Sequence, residues 1–73
     1  MNLREAQEGI EYTVKSMQTD DGELDAFLFS LGLYEGASVT VVSRVSGGSV
    51  LSIKDGRYCI DNKLAEVIFI ERT

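Results

Sequence analysis

The sequence predicts a mainly β fold, a small antiparallel barrel of about five strands that is only partly closed, with one short α-helix. Three observations predict it. The 73 residues suffice for one domain only, which we expect to span residues 1–73. Five short segments rich in alternating or β-branched apolar residues are separated by tight turns. A single segment has the periodicity of a helix instead.

The N-terminal part of the chain predicts a helical turn, a strand and the helix, in that order. The turn covers residues 3–7, and the strand runs from Ile10 to about Met17 because apolar and polar side chains alternate there. A helix from Glu23 to Leu31 is predicted because four apolar residues share one helical face, and Gly32 suits the left-handed position that ends helices. These four residues are Leu24, Phe27, Leu28 and Leu31.

The C-terminal part predicts four further strands and one helical turn. The first strand, from Val39 to Val45, is rich in β-branched residues and is followed by a flexible connection, Ser46–Ser49. The next two strands cover residues 50–54 and 57–60, and Asp55-Gly56 between them is a strong hairpin signal. A single turn over residues 62–65 with Asp61 as its cap and a last strand over residues 67–71 complete the chain.

The composition excludes several classes of function. Twelve acidic and seven basic residues give a net charge of −5, which disfavours binding to nucleic acid or to anionic lipid. Without histidine and with one cysteine, the chain has no His/Cys zinc cluster, no imidazole base and no disulfide framework, so we expect no enzyme. No apolar segment approaches the length of a membrane helix, and the lone Cys59 suits a reducing compartment, so we expect a cytoplasmic protein that does not insert into membranes.

An acidic cluster before and within the predicted helix has two interpretations. Carboxylates of Asp20, Asp21, Glu23 and Asp25 could bind Fe²⁺ or another divalent cation. Helix capping and compensation of the helix dipole explain the same residues without a ligand, and we favour this explanation. No cofactor is required by either interpretation.

Two further features concern contacts with other chains. The segment after the helix contains Leu33 and Tyr34. It is either a tight turn whose leucines point inward, or Leu33 and Tyr34 form a partly exposed apolar edge that binds a partner protein. An open edge of the barrel could also pair with a second copy across a two-fold axis, which makes a homo-oligomer a further possibility.

The order of motifs resembles that of the FeoA family, whose domain also occurs at the C-terminus of DtxR-type metal-dependent repressors. The matching motifs are Leu31-Gly32-Leu33 with Gly36, the strand with Val39 and Val41, the pair Gly47-Gly48 followed by Val50 and Ile53, and Leu64-Ala65 before the last strand. Together they span nearly the whole chain. Glu35 and Ser49 stand where the family pattern commonly has proline.

This resemblance implies an SH3-like barrel without enzymatic activity of its own. It also implies an accessory role in bacterial Fe²⁺ uptake, in which the domain binds the cytosolic part of FeoB, a GTP-hydrolysing membrane transporter. The alternative that it implies is a regulatory domain that binds a transition metal, as in the repressors.

Overall fold

Five antiparallel strands form one sheet in the computed structural model, which describes residues 1–54 and 56–73. The order of the strands across the sheet is β4-β3-β2-β1-β5, so β4 and β5 are its two edges. The mainly β, SH3-like fold predicted from the sequence is confirmed. The strands are β1 (Glu11–Met17), β2 (Ser38–Val45), β3 (Gly48–Ile53), β4 (Gly56–Asp61) and β5 (Ile68–Arg72).

Three helical segments accompany the sheet, at or close to the predicted positions. A 3-10 turn covers Leu3–Glu5, helix α1 covers Gly22–Leu31, and α2 covers Asn62–Glu66. The predicted cap of α2 is confirmed, since the Asp61 carboxylate accepts a hydrogen bond from the Leu64 N–H at 2.8 Å. Within the described residues, no helix is long and apolar enough to cross a membrane.

The sheet curls around one apolar core. The nearly equal extents of the molecule, 28 × 26 × 24 Å, are those of a curled sheet rather than a flat one. Helix α2 contacts β3, β4 and β5 and so fills the space between the two sheet edges. The largest fully buried apolar side chains come from the N-terminal turn, the segment after α1 and all strands except β4: Leu3, Tyr12, Val14, Leu33, Val39, Val41, Leu51, Ile53 and Ile68.

A β-bulge in β2 reverses the predicted orientation of the last residues of this strand. Val41 pairs with Leu51 and Ser43 pairs with Val50, so β2 contains one residue more than its partner between these pairs. After the bulge, Val45 is exposed and Arg44 turns inward, whereas uninterrupted alternation after Val39 and Val41 predicts Val45 inward and Arg44 outward.

Strand β3 begins two residues earlier than predicted. Gly48 and Ser49 pair with Val45 and Arg44 and belong to the sheet, so the expectation of a flexible connection as far as Ser49 is wrong. Gly48 is required there because a side chain would collide with the carbonyl oxygen of Ile60 on β4. The predicted turn at Asp55-Gly56 falls partly outside the described residues, and Gly56 itself is paired with Ile53.

Candidate interaction surfaces

Helix α1 contacts the core through only part of its apolar face. Leu28 is its only buried residue, while Leu24 and Leu31 are half-buried against the core. Phe27 shares the predicted apolar face but is 58% exposed, so the prediction that it packs inward is wrong. The reason is that only the part of the face around Leu28 reaches the sheet.

An exposed aromatic pair lies on the outer side of α1. Phe29 is 64% exposed, and its ring lies 4.9 Å from the ring of Tyr34, centroid to centroid, at an interplanar angle of 37°. Tyr34 was predicted as a partner contact and is half-buried, so it remains available for one. Phe29 was not predicted, because it falls outside the helical periodicity. The pair forms a preassembled apolar patch, the kind of anchor that binds partner proteins.

Leu33, the other predicted partner contact, is a core residue. Its side chain is 1% exposed, so of the two alternatives for Leu33 the structure has the one in which it points into the core and not the partly exposed edge. Gly32 explains the difference, because it adopts a left-handed conformation with φ of 100° and reverses the chain after α1. The Leu33 N–H then donates to the Leu28 carbonyl at 2.9 Å, and in this conformation the Leu33 side chain points into the core.

A groove of about 570 Å³ separates α1 from the edge strand β4. One wall is the inner face of α1, including the exposed Phe27, and Leu64 of α2 also lines it. The other wall is the continuous segment Arg57–Asp61 of β4. Because side chains alternate across a strand, five consecutive residues can line one groove only if the groove runs along the backbone edge of the strand. The groove therefore exposes the edge of β4.

The opposite edge of the sheet is covered by the chain itself. Asn2 forms a β-bridge with Phe69 of β5, and the Ile70 N–H donates to the Met1 carbonyl at 2.9 Å. Open strand edges bind other strands, and proteins commonly cover or twist them. Among residues 1–54 and 56–73, the chain thus covers the edge of β5 and pairs no strand with the outer edge of β4.

The acidic cluster has local structural roles. The Asp21 side chain caps α1 by accepting from the N–H groups of Glu23 and Leu24, both at 3.1 Å. Asp25 accepts a hydrogen bond from the Thr19 hydroxyl. Asp20 and Glu23 are exposed, and no group of three carboxylates or thiols within residues 1–54 and 56–73 is arranged to hold a metal ion. The structure thus does not bring the four candidate ligands together into one site, and it agrees with the favoured explanation by helix capping for Asp21.

Cys59 and Arg57 lie on the outer face of β4, since residues two apart on a strand share a face. Both are exposed, whereas Tyr58 and Ile60 on the other face pack against the core. Arg57, Cys59 and Asp61 follow one another at intervals of two residues. A basic side chain, a thiol and an acidic side chain are therefore arranged in this order along one face.

Comparison with solved structures places the fold among two groups of proteins. Iron(II) transport protein A from Clostridium thermocellum superposes with a TM-score of 0.88 at 22% identity, over 99% of this chain and 45% of that one. A manganese-dependent transcriptional repressor gives 0.86 at 17% identity, over 100% of this chain and 41% of the repressor. ScaR, solved with bound Zn²⁺, gives 0.81 at 21% identity, over 100% of this chain and 37% of its own. The chain thus spans less than half the length of each.

Comparison of the sequence with protein families assigns the chain to one family. No protein with a curated description matches it significantly. The family model of the FeoA domain matches residues 1–72, which is nearly the whole chain. Two glycines of the motifs that carry the resemblance have structural roles in the fold. Gly32 ends α1, and Gly48 lies against the Ile60 carbonyl. The chain therefore belongs to the FeoA family.

Proposed function

We propose that this chain is an accessory protein of bacterial ferrous iron uptake that acts in the cytoplasm by binding the cytosolic part of a FeoB-type GTP-hydrolysing transporter. Membership of the FeoA family supports the process, and the name of the similar iron(II) transport protein A agrees with it. The transporter supplies transport and GTP hydrolysis, and this chain is not an enzyme.

The observation that supports binding through a defined surface is the aromatic pair of Phe29 and Tyr34. An exposed phenylalanine that is already stacked on a second ring loses little side-chain entropy on binding. Burial of such a pair in a partner contributes through its large apolar area. We therefore place the transporter contact on this patch and not on the groove beside β4.

The test is binding of the purified cytosolic transporter domain to variants of the patch. Phe29→Ser and Tyr34→Ser are each expected to weaken binding by about 30-fold, the effect of losing an interface hot spot of about 2 kcal/mol. Phe27→Ser is the matched control, because it removes an equally exposed phenylalanine from the other side of α1. Absence of binding by the unsubstituted chain, together with unchanged Fe²⁺ uptake in a deletion strain, would refute the proposal.

The proposed role requires no metal ion bound to this chain. The donor set supports this, since Asp21 and Asp25 already have hydrogen-bond partners. Anaerobic calorimetry with Fe²⁺ and with Mn²⁺ is expected to give no binding heat. Stoichiometric binding that is lost in Asp21→Asn and Asp25→Asn would instead favour the regulatory metal-binding domain.

A further inference from the structure

We propose that β4 is a homodimerisation edge, at which two copies of this chain pair β4 with β4 in antiparallel orientation, centred on Cys59, in the groove beside α1. The occupant of the groove is therefore a second copy of the same strand. The inference concerns a surface separate from the aromatic pair of Phe29 and Tyr34, and it does not depend on the proposed iron-uptake role.

The backbone N–H and C=O groups of β4 point in the directions that such pairing requires. In an antiparallel ladder, the N–H and C=O groups of one residue point to one neighbour and those of the next residue point to the other side. The Asn62 N–H donates to the Gly47 carbonyl at 3.0 Å and so continues the β3–β4 ladder beyond the pair of Gly48 with Asp61. Counting back from Asn62 in steps of two, Ile60 and Tyr58 direct their backbone groups at β3.

The alternate residues Arg57, Cys59 and Asp61 therefore direct their backbone groups away from the sheet, into the groove. Within the described residues, the backbone groups of Arg57 and Cys59 have no hydrogen-bond partner on this side. A strand centred on Cys59 would meet these three residues in register. Cys59 would donate one bond to Cys59 of the second copy and accept one from it. Arg57 would accept one from the Asp61 N–H of the second copy, since the Asp61 carbonyl belongs to the N-cap of α2. The groove is already lined by the full segment Arg57–Asp61.

The side chains of β4 are complementary to themselves in this register. With Cys59 opposite Cys59 of the second copy, Arg57 lies opposite Asp61 of the second copy, and Asp61 opposite Arg57. Opposite charges at directly opposed positions stabilise antiparallel strands, and like charges there destabilise them. One Asp61 oxygen already caps α2, which leaves the other oxygen for the arginine.

The inner face of the paired strands is complementary as well. Tyr58 lies opposite Ile60 of the second copy, and both side chains pack on the same core as Leu28 of α1. There they would cover Phe27, which is 58% exposed on the wall of the groove. Pairing thus covers both an open strand edge and an exposed aromatic side chain.

Analytical ultracentrifugation from micromolar to millimolar concentration tests the proposal on the full chain. The chain is expected to form dimers reversibly, and Arg57→Asp is expected to raise the dimer dissociation constant about ten- to a hundredfold, because two attractions become two repulsions. Phe27→Ser is expected to weaken the dimer, whereas Phe29→Ser, on the other side of α1, leaves it unchanged. A monomer at every concentration would overturn the proposal and assign the groove to a different chain.

A double-substitution cycle tests the register. Asp61→Asn keeps a side chain that can cap α2. It is expected to weaken the dimer of the otherwise unsubstituted chain, where it removes an attraction, but to strengthen the dimer of Arg57→Asp, where it removes a repulsion. An effect of the same sign in both backgrounds would overturn the proposed register.

Cross-linking gives a second, independent measurement. Directly opposed Cβ atoms of paired strands lie about 4.5–5.5 Å apart, so a short bis-maleimide is expected to join the two Cys59 thiols efficiently. Cross-linking should fall with Arg57→Asp, although that variant keeps the thiol. Equal cross-linking in both proteins would contradict pairing through β4.

Discussion

The N-terminal turn and helix α1 both pack on the same sheet, but they are held by different interactions. The turn covers only Leu3–Glu5, yet Leu3 is fully buried and the inward-turned Arg44 donates to the carbonyls of Leu3 and Ala6. Helix α1 has ten residues, of which only Leu28 is buried. The length of a helix thus does not measure its attachment, and α1 is the element whose surface is left for other chains.

Removal of the buried anchor of α1 is the strongest way to test this comparison. Leu28→Ala is expected to lower the free energy of unfolding by about 2–5 kcal/mol, because it leaves a cavity between α1 and the sheet. Phe29→Ala removes a larger but exposed side chain of the same helix and is expected to cost less than about 0.5 kcal/mol. Urea unfolding of both variants measures the difference. Equal losses would show that the outer side of α1 also stabilises the fold.

The attachment of the N-terminal turn is tested by Arg44→Met, which keeps an apolar side chain of similar length. It leaves the Ala6 carbonyl and the Ser49 hydroxyl without the arginine donor, at an expected cost of about 1–3 kcal/mol. The Leu3 carbonyl loses one of its two donors and keeps the Ala6 N–H. Arg72→Met, at an exposed arginine of β5, is the control and should change stability by less than about 0.5 kcal/mol. If the two variants unfold at the same urea concentration, hydrogen bonds from Arg44 do not hold the turn.

The two ends of α1 respond differently to the same change, from glycine to alanine. At Gly32, which has φ of 100°, a Cβ would lie 3.1 Å from Ile53 and Lys54, so Gly32→Ala is expected to destabilise by about 1 kcal/mol or more. At Gly22 no atom lies within 4 Å of an added Cβ, and Gly22→Ala is expected to stabilise by about 0.4–1 kcal/mol. Thermal unfolding gives both signs, and a stabilising Gly32→Ala would contradict the left-handed cap.

The last comparison concerns the cap of α1 and two substitutions at Asp21. Asp21→Ala removes the acceptor for two N–H groups and should cost about 1 kcal/mol, whereas Asp21→Asn keeps an acceptor and should cost much less. Thermal unfolding in a chelating buffer separates capping from metal binding, because only capping survives removal of metal ions. Equal destabilisation by both substitutions would mean that the charge, and not the cap, stabilises α1.

Much of the fold was predictable because local signals carry it. Alternation in β1, the helical spacing of Leu24, Leu28 and Leu31, and the cap at Asp61 each act over a few residues. The bulge at Val42 was not predictable, since it is fixed by pairing with β3 and not by the sequence of β2. The errors at Val45 and Arg44 follow from this bulge alone.

The candidate surfaces were less predictable than the fold. Tyr34 was found from its place after the helix, but its ring partner Phe29 has no signal in the periodicity of the helix. The self-complementary order of Arg57, Cys59 and Asp61 is visible in the sequence but has no meaning until β4 is known to be an open edge. Exposure depends on which elements cover which, and that is a property of the packed molecule.

The sequence by itself determined the family, the elements, the ends of α1 and the lack of histidine, because these depend on residue identity and short-range spacing. The tertiary structure alone decided that Leu33 is buried, that Phe27 and Phe29 are exposed, and that β5 is covered while β4 is not. The physical reason is that burial and edge pairing depend on contacts between residues that are distant along the chain.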